Sequence, residues 1–280
     1  MQGKTVLITG ATDGIGKETA CRLAEKGARV VIVGRSRDKG AAAVAELKAR
    51  TRNEAIDFLQ ADLSVQQEVR RIAAAVTALV PRLDVLINNA GAIVFGRQET
   101  DDGLERTFAL NHLNYFLLTN ELMELLKASA PARIVNVASI AHRRAVLDFE
   151  DLQLNRGYSA WKAYSRSKLA NVMFTYELAR RLEETGVTAN CLHPGFVRSH
   201  FGQNNNLFAR FGVSLAMRFG NAISVEQGAR TSIHLASSPE VDGTTGFYFD
   251  ECQPVKSNRY SYDAAAQKRL WDISAEMVGG

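Results

Sequence analysis

The chain is 280 residues long, 46% hydrophobic and 23% charged, with a mean hydropathy of −0.13. That composition excludes global disorder and describes a soluble chain with a large core, since at this length folding hides roughly 75% of the unfolded surface and no disulfide or metal staple is needed. The charge of +4 is dispersed rather than gathered into a basic stripe, which argues against a nucleic-acid partner, and no apolar run approaches the roughly 18 residues of a membrane span.

Cys21, Cys191 and Cys252 are odd in number and widely separated, which excludes a disulfide framework and a cysteine zinc site. No metal site is expected, and a reducing, cytoplasmic setting fits best. The apolar segment after Lys4 is too short for a signal or an anchor, so a soluble protein without a transmembrane segment is expected.

Short β-branched runs alternate with longer amphipathic stretches, the pattern of βαβ units on a parallel sheet. Strands are predicted near Thr5 to Thr9, Arg29 to Gly34, Asp57 to Ala61, Val85 to Asn88, Ile134 to Ala138, Thr188 to His193 and Gly246 to Phe249. Val30 to Val33 is apolar at every position, as in a strand covered by helices on both faces. The clearest helices run from Ile15 to Lys26, Val65 to Leu79, Leu104 to Lys127, Ser165 to Glu184, Val225 to Ala236 and Ala264 to Met277. The expected fold class is α/β, a single-domain Rossmann fold with a doubly wound, mostly parallel seven-stranded sheet and helices on both faces. No linker or internal repeat divides residues 1–280. The segment 200–222 breaks the rhythm and reads as a substrate-lid insertion that packs on the domain or closes over a ligand. A basic amphipathic membrane contact through Arg210 and Arg218 is the other reading.

The first strand runs into Thr9-Gly10-Ala11-Thr12-Asp13-Gly14-Ile15-Gly16 and then a helix. Glycines there allow a tight turn and a close backbone approach to a pyrophosphate, which the positive end of the following helix stabilises. A P-loop fails at two points: Gly10 to Gly16 is one residue too long, and Glu18 follows Lys17 where Ser or Thr is required. Arg35 closes the second strand where an adenosine ribose would lie, and an arginine there pairs with a 2′-phosphate. NADP(H) is therefore preferred, with NAD(H) possible. Asp13 would repel a phosphate if it faced the same pocket. Asp62 and Leu63 close the third strand and Asn88-Asn89-Ala90-Gly91 the fourth, at carboxyl ends where such sheets bind ligands.

Ser139 lies just past the fifth strand, and Tyr164 and Lys168 follow at a spacing that puts phenol and ammonium on one helical face. A cation beside the phenol favours the phenolate, and such a pair can shuttle protons. Tyr158 and Lys162 repeat the spacing. Tyr164 is the better choice because Ser167 precedes its lysine and an apolar helix continues through Leu169, Val172 and Phe174.

These residues resemble the short-chain dehydrogenases/reductases over essentially the whole chain. The family's TGxxxGxG turn matches Thr9 to Gly16, its NNAG stretch Asn88 to Gly91, and its YxxxK pair Tyr164 and Lys168. The chain looks most like the retinol dehydrogenase and WW-domain oxidoreductase branch, through Gly14 to Ala20, Ser167 to Asn171 and His193-Pro194-Gly195. The resemblance implies four catalytic residues: Asn111, Ser139, Tyr164 and Lys168. It implies a cofactor site of Gly10, Thr12, Asp13, Gly14, Ile15, Gly16, Arg35, Asp62, Leu63, Asn89, Ala90, Gly91, Tyr164, Lys168, Pro194, Gly195, Val197 and Ser199. Under it, hydride passes directly between nicotinamide and a carbonyl or alcohol carbon. Tyr164 transfers the proton, Lys168 lowers its pKa, Ser139 polarises the carbonyl and Asn111 holds a water linking Lys168 to solvent.

The expected protein is an NADP-dependent carbonyl reductase or alcohol dehydrogenase acting on a lipophilic ketone, aldehyde or secondary alcohol, retinal-like or polycyclic. Tyr158, Trp161, Phe196, Phe201 and Phe208 are the substrate candidates, with Phe95 and Phe149 as further apolar walls. The alternative is a non-catalytic NADP(H)-binding redox sensor, but such proteins usually lose the tyrosine or lysine, and both are present. A sugar-nucleotide epimerase would need a different glycine turn, and an enoyl reductase a wider tyrosine–lysine spacing. By analogy alone, a homodimer or homotetramer is expected through the helix beginning at Tyr164.

Overall fold

The computed structural model describes residues 1–197 and 223–279. Its strands are β1 (Thr5–Thr9), β2 (Arg29–Gly34), β3 (Ile56–Gln60), β4 (Val85–Asn88), β5 (Ala132–Val137), β6 (Val187–Leu192), β7 (Tyr248–Asp250) and β8 (Gln253–Val255). They form one sheet in the order β3-β2-β1-β4-β5-β6-β7-β8, parallel except for the β7–β8 pair. The seven strands expected become eight. Glu251 and Cys252 turn the chain back at φ 45 and 66, a left-handed corner normally marked by glycine or asparagine. The short β8 carries Pro254 at this sheet edge, where a missing N–H is tolerated.

The helices are α1 (Gly14–Glu25), α2 (Arg37–Thr51), α3 (Gln66–Leu79), α4 (Arg106–Phe108), α5 (Asn114–Glu121), α6 (Met123–Ala128), α7 (Ala160–Arg181), α8 (Val225–Ser237) and α9 (Ala264–Met277). α2, capped by the Ser36 side chain, is absent from the sequence expectation because its apolar face is carried mainly by Ala43 and Leu47. α7 begins five residues earlier than Ser165, at Ala160, after the Ser159 cap. The single helix expected from Leu104 to Lys127 is broken by a π-helical turn at Ala109–Leu113, where the Asn114 N–H reaches back to the Ala109 carbonyl. Such turns displace carbonyls from the regular ladder and concentrate at functional sites.

Alternation along the buried strands builds the core. Leu7, Val31, Val33 and Leu86 face one apolar cluster with residues of α3, α5, α7 and α9. Val6, Ile8, Val30, Ile32 and Ile87 face the other, with residues of α1, α2 and α8. Fully burying each such aliphatic side chain contributes about 1.5–3 kcal/mol. The sheet reverses its winding between β1 and β4, and Gly10, Asn89, Ser139 and His193 follow the carboxyl ends of their strands, on one rim. Among the described residues, no helix is long and apolar enough to cross a membrane.

The helix that starts near Tyr164 is covered within the chain. Trp271 of α9 sits 4.8 Å from the Phe116 ring, 5.7 Å from the Phe174 ring and 4.1 Å under the Arg181 guanidinium. The segment 200–222, with Phe201 and Phe208, and Ser199 lie outside the described residues.

Candidate active site

The turn from β1 to α1 is held by backbone proximity. Gly10 has φ +65, and a Cβ there would lie 2.8 Å from Ala90 Cα. A Cβ on Gly16 would lie 2.5 Å from the Gly10 carbonyl and 2.6 Å from Asn89 Nδ2. Asn89 in turn donates to the carbonyls of Thr9 and Gly10 at 2.8 and 3.1 Å. The Asn89 and Ala90 N–H groups donate to Thr9 Oγ1 at 2.9 and 3.0 Å. Thr9, which sequence reading used only as a motif letter, therefore locks β1 to β4. Ile15 and Thr12 are half-buried, and the Thr12 methyl packs where a Gly34 side chain would stand.

Asp13 accepts from the Gly14 N–H at 2.7 Å and caps α1, so its carboxylate turns onto the helix end. Arg35 is exposed at the end of β2, and its charge reaches the Asp62 carboxylate. Burial raises the Asp62 pKa, but hydrogen bonds from Ser64 together with Arg106 and Arg35 carry the balance below the ordinary value. Leu63 and Ala90 contribute their side chains to the core, which leaves only their backbone for a ligand.

The four residues expected to be catalytic meet at the carboxyl ends of β4 and β5. Tyr164 and Lys168, one turn apart on α7, are 8% and 3% exposed. Tyr164 is hydrogen-bonded to the Ser139 side chain. Lys168 Nζ donates to the Val137 carbonyl at 2.8 Å and lies 5.5 Å from the Tyr115 ring and 5.9 Å from the Tyr164 ring. Asn111 stands in the π-helical turn. Its Oδ1 accepts from the Ala92 N–H at 2.8 Å, while Nδ2 donates to the Ala92 carbonyl and to Ser167 Oγ, both at 3.0 Å. The amide is thus committed to holding the chain after β4. A Cβ on Gly91 would stand 3.2 Å from Asn111 Oδ1 and 3.3 Å from Lys168 Nζ, so the missing side chain keeps a path open to both.

One expected direction is reversed. Burial pushes the Tyr164 phenol up to about 12, with the Ser139 hydrogen bond pulling against it. Burial also brings the Lys168 ammonium down to about 7. Burial thus acts on both groups against their charged forms, and the Lys168 ammonium is aimed at the Val137 carbonyl.

The second tyrosine–lysine pair is built for structure. Tyr158 donates to the Val94 carbonyl at 2.9 Å, and its hydroxyl lies 3.3 Å from the buried Glu105 carboxylate. Lys162 is exposed. Trp161 is 61% exposed, with its ring 6.0 Å from the Tyr164 ring, and Phe95 and Phe196 are also open to solvent. Phe149 packs on the core beneath the Arg269 guanidinium, 4.7 Å away. Pro194 and Gly195 are half-buried, Gly195 at φ +82, and Val197 is buried beside Gly228. The His193 ring holds this turn: Nδ1 accepts from the Gly195 N–H at 3.1 Å. Nε2 lies 3.0 Å from Asp250 Oδ1, outside hydrogen-bond alignment. Among the described residues, no group of three or more His, Cys, Asp or Glu could hold a metal.

Sequence reasoning missed His142 and Asn258. His142 Nδ1 lies 2.6 Å from the Ser139 carbonyl, and its Nε2 accepts from the Asn258 N–H at 3.1 Å. The only sequence signal was a histidine three positions after Ser139.

A glycine-tight turn between β1 and α1, an arginine closing β2, and a buried Ser–Tyr–Lys group beside β5 define a dinucleotide-dependent oxidoreductase. The family model described as short chain dehydrogenase matches residues 4–209, and the chain belongs to the short-chain dehydrogenase/reductase family. Within it, the chain falls in the retinol dehydrogenase-like branch. It is 42% identical to retinol dehydrogenase 14 of Homo sapiens, covering 100% of this chain and 87% of that protein. It is 43% identical to retinol dehydrogenase 12 of Mus musculus, covering 99% and 87%. Among solved structures it resembles an uncharacterised protein of Mycobacterium paratuberculosis, 35% identical with a TM-score of 0.79 over 99% of this chain and 94% of that one. The RhlG/NADP active-site complex of Pseudomonas aeruginosa is 30% identical, with a TM-score of 0.71 over 89% and 94%. The chain is accordingly an oxidoreductase acting on CH–OH or C=O groups, in a family that uses NAD(P)(H).

Proposed function

We propose that the protein is an NADP-dependent reductase of lipophilic aldehydes or ketones, with Tyr164 as proton donor. The observation that carries the reading is the Tyr164 phenol, buried against Ser139 and held protonated up to about 12. A phenol that keeps its proton at neutral pH can quench a developing alkoxide, which fits the donor's part in carbonyl reduction. Ser139, hydrogen-bonded to the same phenol, can donate to the carbonyl oxygen beside it. Lys168, at about 7, exchanges protons readily near neutrality and can resupply the site.

The cofactor's residues fit on this structure's own terms. The turn Gly10, Thr12, Gly14, Ile15 and Gly16 presents backbone at the α1 N-terminus, Arg35 offers a charge for a 2′-phosphate, and Gly91 leaves the approach to Lys168 open. Asp62, Leu63, Asn89, Ala90, Pro194, Gly195 and Val197 complete the set proposed to hold it. When bound, the reduced nicotinamide supplies the hydride. The exposed rings of Trp161, Phe196 and Phe95 support a lipophilic substrate, and the similarity to retinol dehydrogenases points to retinal-like carbonyls. The free thiols of Cys21, Cys191 and Cys252 support a reducing compartment.

The test is NADPH oxidation by purified protein against aldehydes and ketones from short aliphatics to retinal and polycyclics. Turnover that disappears in Tyr164→Phe supports the reading. No consumption across the panel, or equal turnover in Tyr164→Phe, overturns it.

A further inference from the structure

Two fully buried histidines stand between the proposed reactive residues and the C-terminal part of the chain. His112 adjoins Asn111 in the π-helical turn. Its Nε2 lies 2.9 Å from Ser274 Oγ on α9, and its Nδ1 lies 3.3 Å from Asn171 Oδ1. Asn171 Nδ2 donates to the Asn111 carbonyl at 2.9 Å. The amide's Oδ1 must then accept from His112, so Nδ1 carries the ring proton and Nε2 accepts from the serine.

His142 repeats the arrangement on the other side of the site. Its Nδ1 donates to the Ser139 carbonyl while Nε2 accepts from the Asn258 N–H. The Asn258 side chain also donates to the carbonyls of His142, Arg143 and Ala145, at 2.9, 3.2 and 2.8 Å, clamping the helical turn Ile140–Arg144. The C-terminal segment is itself anchored. Gln66 and Arg70 of α3 donate to the Met277 and Val278 carbonyls, and Trp271 is wedged between Phe116 and Phe174.

We infer that His112 and His142 are positioning residues through which the C-terminal segment, at Asn258 and Ser274, holds Asn111 and Ser139 in reactive register. The inference rests on the proposed roles of Ser139, Tyr164 and Lys168, with Asn111 acting through the Ala92 backbone and Ser167 that its amide holds. Each histidine uses both ring nitrogens, one as donor and one as acceptor, so each works only as the neutral Nδ1–H form. The groups facing His112 are uncharged: Asn171, Ser274 and the rings of Phe108 and Phe174. His142 is faced by Arg143, by His193 and by the Tyr248 ring at 4.7 Å, and the Arg143 charge favours its neutral form.

The variants Ser274→Ala, Ser274→Thr and Asn258→Asp test this. The last keeps the size of the side chain but replaces a donor to three carbonyls with an acceptor. Expected are kcat losses of about tenfold for Ser274→Ala and more for Asn258→Asp, with KM for NADPH within about twofold, since misplacement far from the chemistry acts on the reacting geometry. Ser274→Thr retains the hydroxyl and restores kcat. Nitrogen-15 NMR of the histidines is expected to show His112 and His142 as neutral Nδ1–H tautomers at pH 7, with the His112 signal shifted in Ser274→Ala.

Unchanged kcat in both Ser274→Ala and Asn258→Asp, or loss of thermal stability without loss of kcat, overturns the inference. So does an Nε2–H tautomer at both rings. If the wild type reduces none of the carbonyls, the proposed function falls, while the tautomers and their response to Ser274→Ala still decide the hydrogen-bond link.

Discussion

The turn between β1 and α1 and the floor formed by β5, α7 and the C-terminal segment both place polar groups on the carboxyl rim of one sheet, but they use different materials. The first is made of backbone, glycine and short-range caps: Gly10 and Gly16 let strands and turn approach, and Asp13 caps the helix it precedes. The second is made of side chains joined across long stretches of chain, as His142 meets Asn258 and His112 meets Ser274. A backbone cradle is suited to a ligand shared by many substrates, and its parts are individually replaceable where space allows. A side-chain floor holds its reactive groups dry and shifts their proton affinities, and each part depends on the others.

The sharpest break of this comparison is at Tyr164. Tyr164→Phe removes the proposed proton donor, and carbonyl reduction is expected to fall by about 10²–10⁴-fold, the usual contribution of general acid catalysis. Tyr158→Phe, which loses a hydrogen bond to the Val94 carbonyl, is expected to cost about 1 kcal/mol of stability and to leave turnover nearly intact. Steady-state kinetics beside thermal melting separates the two. Equal losses of turnover would erase the distinction drawn between the tyrosines.

The floor also predicts an acid limit. Burial brings His112 and His142 down to about 4, while the unfolded chain protonates them near the ordinary value of 6.5. Between those values the unfolded state binds more protons, so the stability is complete above about 6.5 and is lost as pH falls toward 4. For His112 alone the loss amounts to about 3 kcal/mol across that window. Thermal melting followed from pH 7 to pH 4 should show Tm falling steeply. A flat profile would mean that the rings are not held neutral in the fold.

The same contrast explains what the sequence allowed one to read. β1, β2 and β4 are predicted with their observed limits because hydrophobic runs and glycine turns are local signals, and Tyr164 and Lys168 are legible because four residues make one helical turn. The break in the helix after Arg106 was invisible, since nothing in Leu110-Asn111-His112 marks a π-helical turn as against a regular one. The tyrosine's acidity was misjudged because spacing gives the cation's proximity but not the depth of burial, which here dominates both groups. Asn258 could not be singled out: its worth comes from three carbonyls more than a hundred positions earlier.

On the cradle side, Arg35 sets the next largest effect. Arg35→Ala removes a charge proposed to pair with a 2′-phosphate, an interaction of about 1.5–3 kcal/mol, so the preference for NADPH over NADH should fall about 10- to 100-fold. Fluorescence titration with each nucleotide reads it directly. An unchanged ratio would move the discrimination away from the end of β2.

Gly16 gives the smallest and most local effect. A methyl there would meet the Gly10 carbonyl at 2.5 Å and Asn89 Nδ2 at 2.6 Å, and the first of these is backbone that cannot swing aside. Gly16→Ala is expected to cost about 1–3 kcal/mol, the range for overpacking, with Tm lowered by several degrees. Because Asn89 also ties the turn to β4, relief of the clash loosens the Thr9 and Gly10 carbonyls together, and NADPH affinity should fall with stability. The Tyr164 floor shares none of these contacts, so the kcat of the Gly16→Ala protein at saturating NADPH should stay near that of the parent. A kcat that falls in step with affinity would show that cradle and floor are one mechanical unit.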